Sequence, residues 1–572
     1  MDPAPAAPPD AGRTLAEIAA AWWDHVLDES PSMCTSLGID RGLDRLDQDD
    51  EAGRARRAAF REQTRRRLEA VAPDALGTEE RLTRTVMHRL LTEADEEDRH
   101  RFFEWSLNPL FGPHLSLQEL AERHPMRTPA DADAFVARCR AVPAALGAWT
   151  TDLAAGLASG RVAPKVAWTR VVGQVRAFLA QPVEATPFAR AAARLPATWS
   201  DTDRSRAATA IADAAGSHVR PAYERVLAFL EGPYAGKARA AVGVASIPGG
   251  ETAYRFAVRR HTTTTLTPER IHEIGVEELE KNRAEMLEIA RAEGFTGTLR
   301  EFFDAIAKDP RFRLRTREEL LDRYRAICRR MDARLPEAFR HLPRRPYEVR
   351  ALEAWREQDA PAGYYYPPAL DGSRPGTFYA NTRDPESWPT YDMEALAFHE
   401  AVPGHHLQIA LALELEQLPD VRRHAGFTAY VEGWAHYTER LADEMGLYST
   451  PFDRVGMLAA QAWRAARLVV DTGMHALGWD RAQAIALMRD IRSGPESDVA
   501  NEVDRYIIWP GQALAYKVGS RTITDLRERA RRRLGARFSL AGFHDVVLRH
   551  GPLPLSLLED LVRLWEGDET AG

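Results

Sequence analysis

Apolar residues recur at helical spacing through most of the chain. Over Leu15–Leu27 they fall at Leu15, Ile18, Ala19, Trp22, Trp23 and Val26, one face of a 3.6-residue period. Arg81–Glu97, Ala130–Ser159 and Asp203–Glu231 repeat this pattern and are rich in Ala, Leu, Arg and Glu, which favour helix. Prolines and glycines punctuate them, as at Asn108-Pro109 and Glu231-Gly232-Pro233. No repeat of fixed period is evident. The periodicity lapses over Val242–Gly250, where residues are small and irregular. A boundary is expected there, giving a disordered Pro/Ala tail over 1–13, an N-terminal helical lobe over 14–245 and a C-terminal lobe over 246–572. Helix resumes at Thr267-Pro268-Glu269: Thr suits the N-cap, Pro the first turn and Glu the positive helix end.

Residues 346–382 have a different texture. Tyr347–Leu352 alternates like a strand. Tyr364-Tyr365-Tyr366-Pro367-Pro368 precedes the turn signal Asp371-Gly372, and Gly376–Thr382 is a further strand candidate. A small sheet or hairpin is expected, with the proline-flanked strand at an edge. The fold class is therefore mainly α, with an island of β structure.

At 572 residues the chain can bury a large core in more than one domain. Its 45% hydrophobic and 28% charged residues are ordinary for a globular protein. The net charge of -8 is small for this length, and basic runs such as Arg529–Arg533 sit among acidic residues. No nucleic-acid partner is expected. Three cysteines, Cys34, Cys139 and Cys328, lie far apart and argue against a disulfide framework. The N-terminus lacks a basic start followed by an apolar run, and no stretch approaches the ~20 apolar residues that span a bilayer. The expected setting is the cytoplasm, without a membrane partner. The oligomeric state is not legible.

The chemistry concentrates in His399-Glu400-Ala401-Val402-Pro403-Gly404-His405-His406. Asp392–Ala401 reads as a helix with an acidic start that delivers His399 and Glu400. In a zincin helix, H-E-x-x-H sets two histidines four residues apart on one face. Here Pro403 occupies that position, so the segment looks like a zincin helix with a two-residue insertion. On an unbroken helix His405 would lie about 120° from His399 in projection. Both can reach one metal only if the backbone unwinds at Pro403-Gly404, which proline and glycine permit. His405 and His406 are both candidates for the second ligand. Glu432, in the helix-like run Tyr430–Glu439, supplies a carboxylate 27 residues after His405. Two His and one Glu suit Zn2+ and leave a position open for water, with Mn2+ or Co2+ also compatible. Glu400 then serves as general base.

Four blocks resemble the signature of the DUF885 family, bacterial proteins of zincin-like type. They are Phe398–Gln408, Asp371–Asn381, Tyr430–Arg440 and Glu502–Lys517, with weaker similarity at Trp105–Gly112. The resemblance covers nearly the whole chain. It implies a two-lobed helical gluzincin-like fold with a deep cleft and a small sheet next to the metal site. It also implies His399, His405 and Glu432 as ligands, Glu400 as base, and 246–572 as the catalytic lobe. Gly404-His405 is similar to the Gly-His pair of the shorter H-E-x-G-H form, which favours His405 and leaves His406 as the alternative. His436 stands where the family more often has an apolar residue.

An oxyanion formed in such chemistry needs a hydrogen-bond donor. Tyr506 and Tyr516 are the candidates, with Arg505 beside the first. Arg374, Tyr379 and Asn381 lie on or beside the last strand and, with Arg505, are candidates for substrate binding, the strand edge offering main-chain hydrogen bonds. Glu439, seven residues after Glu432 and near the same helical face, is a candidate orienting partner, as is His436. The leading expectation is a zinc metallopeptidase acting on short peptides or peptide-like amides. A metal-dependent biosynthetic enzyme acting on a non-peptide small molecule is the alternative. A non-catalytic metal-containing binding protein is disfavoured, because Glu400 is not needed as a ligand.

Overall fold

The computed structural model describes residues 10–352, 357, 361–370, 372, 374–491 and 496–571. It is mainly helical, with one three-stranded sheet among the described residues. The chain divides into two compact units, Met1–Val242 with Ser246–Gly250, and Gly243–Ala245 with Glu251–Gly572.

In the first unit, helix α1 (Ala11–Glu29) starts inside the segment expected to be a tail. Asp10 caps it, accepting from Gly12 N at 3.1 Å, and Leu15, Ile18 and Ala19 are buried. The cap and this apolar face order residues 11–13; residues 1–9 lie outside the described set. Helix α2 (Pro129–Ser159) opens on a capping box of Thr128 and Asp131 and buries Phe135, Leu146, Trp149 and Leu153. The run expected over Asp203–Glu231 comprises two α-helices joined by a wide turn at Ala215–Val219. Cys34, Cys139 and Cys328 are unpaired and buried.

The second unit contains, in chain order, α3 (Pro268–Ala292), α4 (Met393–Glu400), α5 (His405–Glu414), α6 (Thr428–Glu444), α7 (Pro451–His475), α8 (Glu496–Ile508) and α9 (Ala515–Leu534). Thr267 caps α3 as its sequence predicts, its hydroxyl accepting from Arg270 N at 3.3 Å. Two long pairings organise the unit: α3 lies along α7, and α6 lies along α9. The second is a backbone contact. A Cβ at Gly433 would stand 2.5 Å from Gly519 Cα, and one at Gly519 would stand 1.9 Å from Ala429 O. Only two glycines let these helices approach so closely.

The sheet comprises β1 (Tyr347–Ala351), β2 (Gly363–Tyr366) and β3 (Gly376–Ala380), in the order β1-β3-β2. β2 and β3 form the antiparallel pair the sequence suggests, with Tyr365 opposite Phe378. β2, followed by two prolines, is an edge, as the missing N–H groups require. β1 joins β3 in parallel, a pairing its alternation alone did not specify. Phe378 at the sheet centre is fully buried against Tyr324. The turn residue Asp371 lies outside the described residues. No described helix is long and apolar enough to cross a membrane.

Candidate metal centre

Helix α4 ends where the sequence predicts a break. Ala401 closes it with N–H to Ala397 O, at a ψ of -106° that no helix continues. The Val402–Pro403 peptide is cis, and α5 begins at His405. The reversal is tight: a Cβ at Gly404 would sit 1.9 Å from His399 O and 2.5 Å from Phe398 O. Trp434 of α6 ties the break down, donating from Nε1 to Pro403 O at 2.9 Å. The unwinding supplies the rotation that an unbroken helix would deny His405.

As a result the His399 and His405 rings lie 4.8 Å apart, edge to face. Glu432 of α6 completes the group, its Oε2 lying 3.7 Å from His399 Nε2 and 3.4 Å from His405 Nε2. One ligand atom from each of the three residues falls within 4.8 Å of the others. Glu439, two helical turns beyond Glu432, accepts from His399 Nδ1 at 2.8 Å. A carboxylate there keeps a proton on Nδ1 and turns Nε2 towards Glu432, so that Nε2 is the atom that can hold an ion in place of a proton. Gln461 of α7 holds the other Glu439 oxygen at 3.0 Å, and Lys517 of α9 holds Gln461 in turn at 3.2 Å.

The electrostatics follow from this crowding. Burial alone would lower the His399 pKa, but the neighbouring carboxylates of Glu432 and Glu439 outweigh it and push it up to about 9. Burial would raise Glu432, but the two imidazoles hold it well below the usual carboxylate range. Glu400 is buried at the end of α4, and that burial pushes its carboxyl up. The ligand atoms thus attract a positive charge, and the neighbouring carboxyl retains a proton more readily than usual.

His406 belongs to the sheet. Its Nδ1 pairs with Tyr365 Oη at 2.9 Å and its ring lies 4.6 Å from Tyr347. Of the two adjacent histidines, only His405 converges with His399 and Glu432. His436 is buried on α6, with Nδ1 on Ser520 Oγ at 2.8 Å and Nε2 4.0 Å from Glu439. Tyr516 lies parallel to His399 with ring centroids 6.5 Å apart. Tyr506 is fully buried, and its hydroxyl is engaged, donating to Glu502 Oε2 at 2.7 Å and accepting from Arg467 Nε at 2.9 Å. That leaves Tyr516 as the tyrosine beside His399. Arg505 pairs with Glu502 and donates to Gln512. Arg374 stacks on Tyr366, Tyr379 packs on Tyr364, and Asn381 is buried with its amide donating to Glu357 O. These three stabilise the sheet and its flanks.

Sequence reasoning missed the contribution of α7. Gln461, Arg464 and Arg467 recur every three residues in the middle of a largely buried helix, between the apolar residues of Val455–Ala460 and Leu468–Val470. Arg464 Nη2 lies 3.8 Å from Glu439, and the Arg467 guanidinium lies 4.6 Å from the Tyr516 ring centre. A polar stripe on an apolar helix was the signal available.

Residues 31–562 match the family model described as "Bacterial protein of unknown function (DUF885)". The chain belongs to the DUF885 family. Among solved structures, this DUF885 chain is similar to "the putative lipoprotein from Colwellia psychrerythraea". The two are 29% identical, with 98% of this chain and 100% of that one covered and a TM-score of 0.92. A "putative lipoprotein of unknown function from Shewanella oneidensis" shares the fold at 19% identity, covering 96% of this chain and 99% of that one with a TM-score of 0.76. No curated protein matches the chain.

Proposed function

We propose that this DUF885 chain is a zinc-dependent hydrolase that cleaves short peptides or peptide-like amides, and we read its family as zincin-like on the same ground. The observation that carries the reading is the convergence of His399, His405 and Glu432 from three helices. Two imidazole nitrogens and one carboxylate fit zinc, and a set of three leaves a coordination position open, the mark of a catalytic site. The Glu439 contact to His399 Nδ1 is the kind of orienting hydrogen bond that zinc ligands need. Mn2+ or Co2+ would be accepted by the same donors.

When bound, the ion supplies Lewis acidity, making water more acidic and polarising a carbonyl. Glu400 takes the proton of the attacking water and returns it to the leaving amine. Its burial suits this exchange, because a carboxyl with a raised pKa holds a proton long enough to deliver it. Tyr516, beside His399, donates from its hydroxyl to the oxyanion that develops on the carbonyl.

Metal analysis of the purified protein should find one zinc per chain. A panel of dipeptides, tripeptides and blocked peptides should be cleaved, with activity lost to a chelator and restored by zinc. Glu400→Gln should keep the metal and lose about 10²-fold or more in turnover. Full activity after complete metal removal, or in metal-loaded Glu400→Gln, overturns the reading.

A further inference from the structure

Arg464, Arg467 and Arg505 lie around Glu439, Glu502 and Tyr516, and those two carboxylates are already engaged. Glu439 receives His399 Nδ1 on one oxygen and Gln461 Nε2 on the other. Glu502 receives Arg505, Arg467 and Tyr506. Arg464 therefore reaches Glu439 only at 3.8 Å. Arg464 Nη1 also makes a long bond to Ala460 O in its own helix, at 3.4 Å.

Two donors are left over. Among the described residues, Arg464 Nε and Arg467 Nη1 are buried and have no hydrogen-bond partner. Arg467 is only 8% exposed. A buried guanidinium with an unused N–H is costly, since its desolvation is not repaid by an acceptor. The two arginines sit one turn apart on α7. Arg467 lies over the ring of Tyr516, which also lies parallel to His399. Arg464 is tied through Glu439 to His399. Both unsatisfied donors thus lie one residue removed from His399.

We propose that Arg464 and Arg467 recognise a carboxylate carried by the substrate, so that the molecule cleaved is a short peptide or peptide-like amide with a negative charge close to the scissile bond. Guanidinium is suited to this because its planar fork matches the two oxygens of a carboxylate. Two guanidinium donors without an acceptor favour an anion over a neutral group, because a charged acceptor makes the stronger hydrogen bond. The carboxylate has two possible sources, the free C-terminus of a peptide or an acidic side chain. The inference borrows from the proposed hydrolase only the nature of the bond that is cut; recognition itself is read as binding.

Calorimetry decides it, using Glu400→Gln protein loaded with zinc and also as purified. The probes are trialanine, trialanine amide and the amide of Ala-Glu-Ala. Trialanine binding at least about tenfold tighter than its amide supports the proposal with the C-terminus as source. A comparable advantage for the glutamate-bearing amide supports it with the side chain as source. The preference should collapse in Arg467→Met and in Arg464→Met; the latter removes no hydrogen bond shorter than 3.4 Å and so leaves the fold intact. Equal binding of all three probes, no binding of any, or a preference that survives both arginine substitutions overturns it. A protein that prefers the acids yet hydrolyses nothing as wild type would keep this inference and lose the hydrolase. One that hydrolyses acids and amides alike would do the reverse.

Discussion

Replacing Gly404 by alanine tests whether the break between α4 and α5 creates the metal centre. The added Cβ would stand 1.9 Å from His399 O, 2.5 Å from His399 C and 2.5 Å from Phe398 O. Ordinary C···O approach is about 3.3 Å. The alanine variant must therefore open the reversal by about 1.4 Å, and every atom it meets is backbone, so no side chain can swing aside. Zinc–ligand distances tolerate only about 0.2 Å. A displacement several times larger takes His405 out of reach of an ion still held by His399 and Glu432. Loss of one of three ligands should weaken zinc binding by about 100-fold or more, equivalent to about 2.7 kcal/mol. Competition against a chromophoric chelator at neutral pH measures this. Thermal melts of the metal-free proteins run in parallel, where overpacking should cost about 1–3 kcal/mol. A folded Gly404→Ala protein that binds zinc within threefold of wild type would refute the argument, since the predicted clash would then have no effect on the ligands.

Three further outcomes follow from the same geometry. Glu439→Gln should weaken zinc binding about 10- to 100-fold without removing a ligand, because His399 loses its carboxylate partner; unchanged affinity in the competition assay contradicts this. His406→Ala should keep one zinc per chain by metal analysis, since His406 is bonded to Tyr365; loss of the metal would move the second ligand to His406. His544 is held neutral by burial, its pKa pushed down to about 3, with Nδ1 donating to Ala338 O and Nε2 accepting from Tyr437. The unfolded chain then binds the extra proton first, so stability is complete above pH 6.5 and falls as pH drops from 6.5 towards 3. The loss from this residue approaches about 1.4 kcal/mol per pH unit. Unfolding curves across that range should show a shallower slope in His544→Gln, and an identical slope would sink the assignment.

Much of this architecture could be read from the residues, and the rest has identifiable reasons for being hidden. Thr267-Pro268 marked the start of α3 because capping is local chemistry. Pro403-Gly404 marked the break because both residues act on their own backbone. The antiparallel β2–β3 pair was legible from its sequence neighbourhood. The parallel addition of β1 was not, since parallel pairing is settled by a crossover and not by a turn. The hydroxyl of Tyr506 reads in sequence like that of Tyr516; only packing reveals that Glu502 and Arg467 occupy the first. Arg464 and Arg467 were overlooked for a related reason. In an arginine-rich chain they resemble a solvated helix face, and only the burial of α7 on nearly every side makes them exceptional.

The meeting of Gly433 and Gly519 has a mechanical consequence. Glu432 adjoins the first glycine, and Tyr516 is three residues, almost one turn, ahead of the second. With no side chains between the two backbones, sliding either helix by one residue would drive a Cβ into main-chain atoms. α6 and α9 therefore behave as a single strut carrying the carboxylate and the phenol at fixed separation. Any breathing around the candidate site has to be borne by other parts of the molecule.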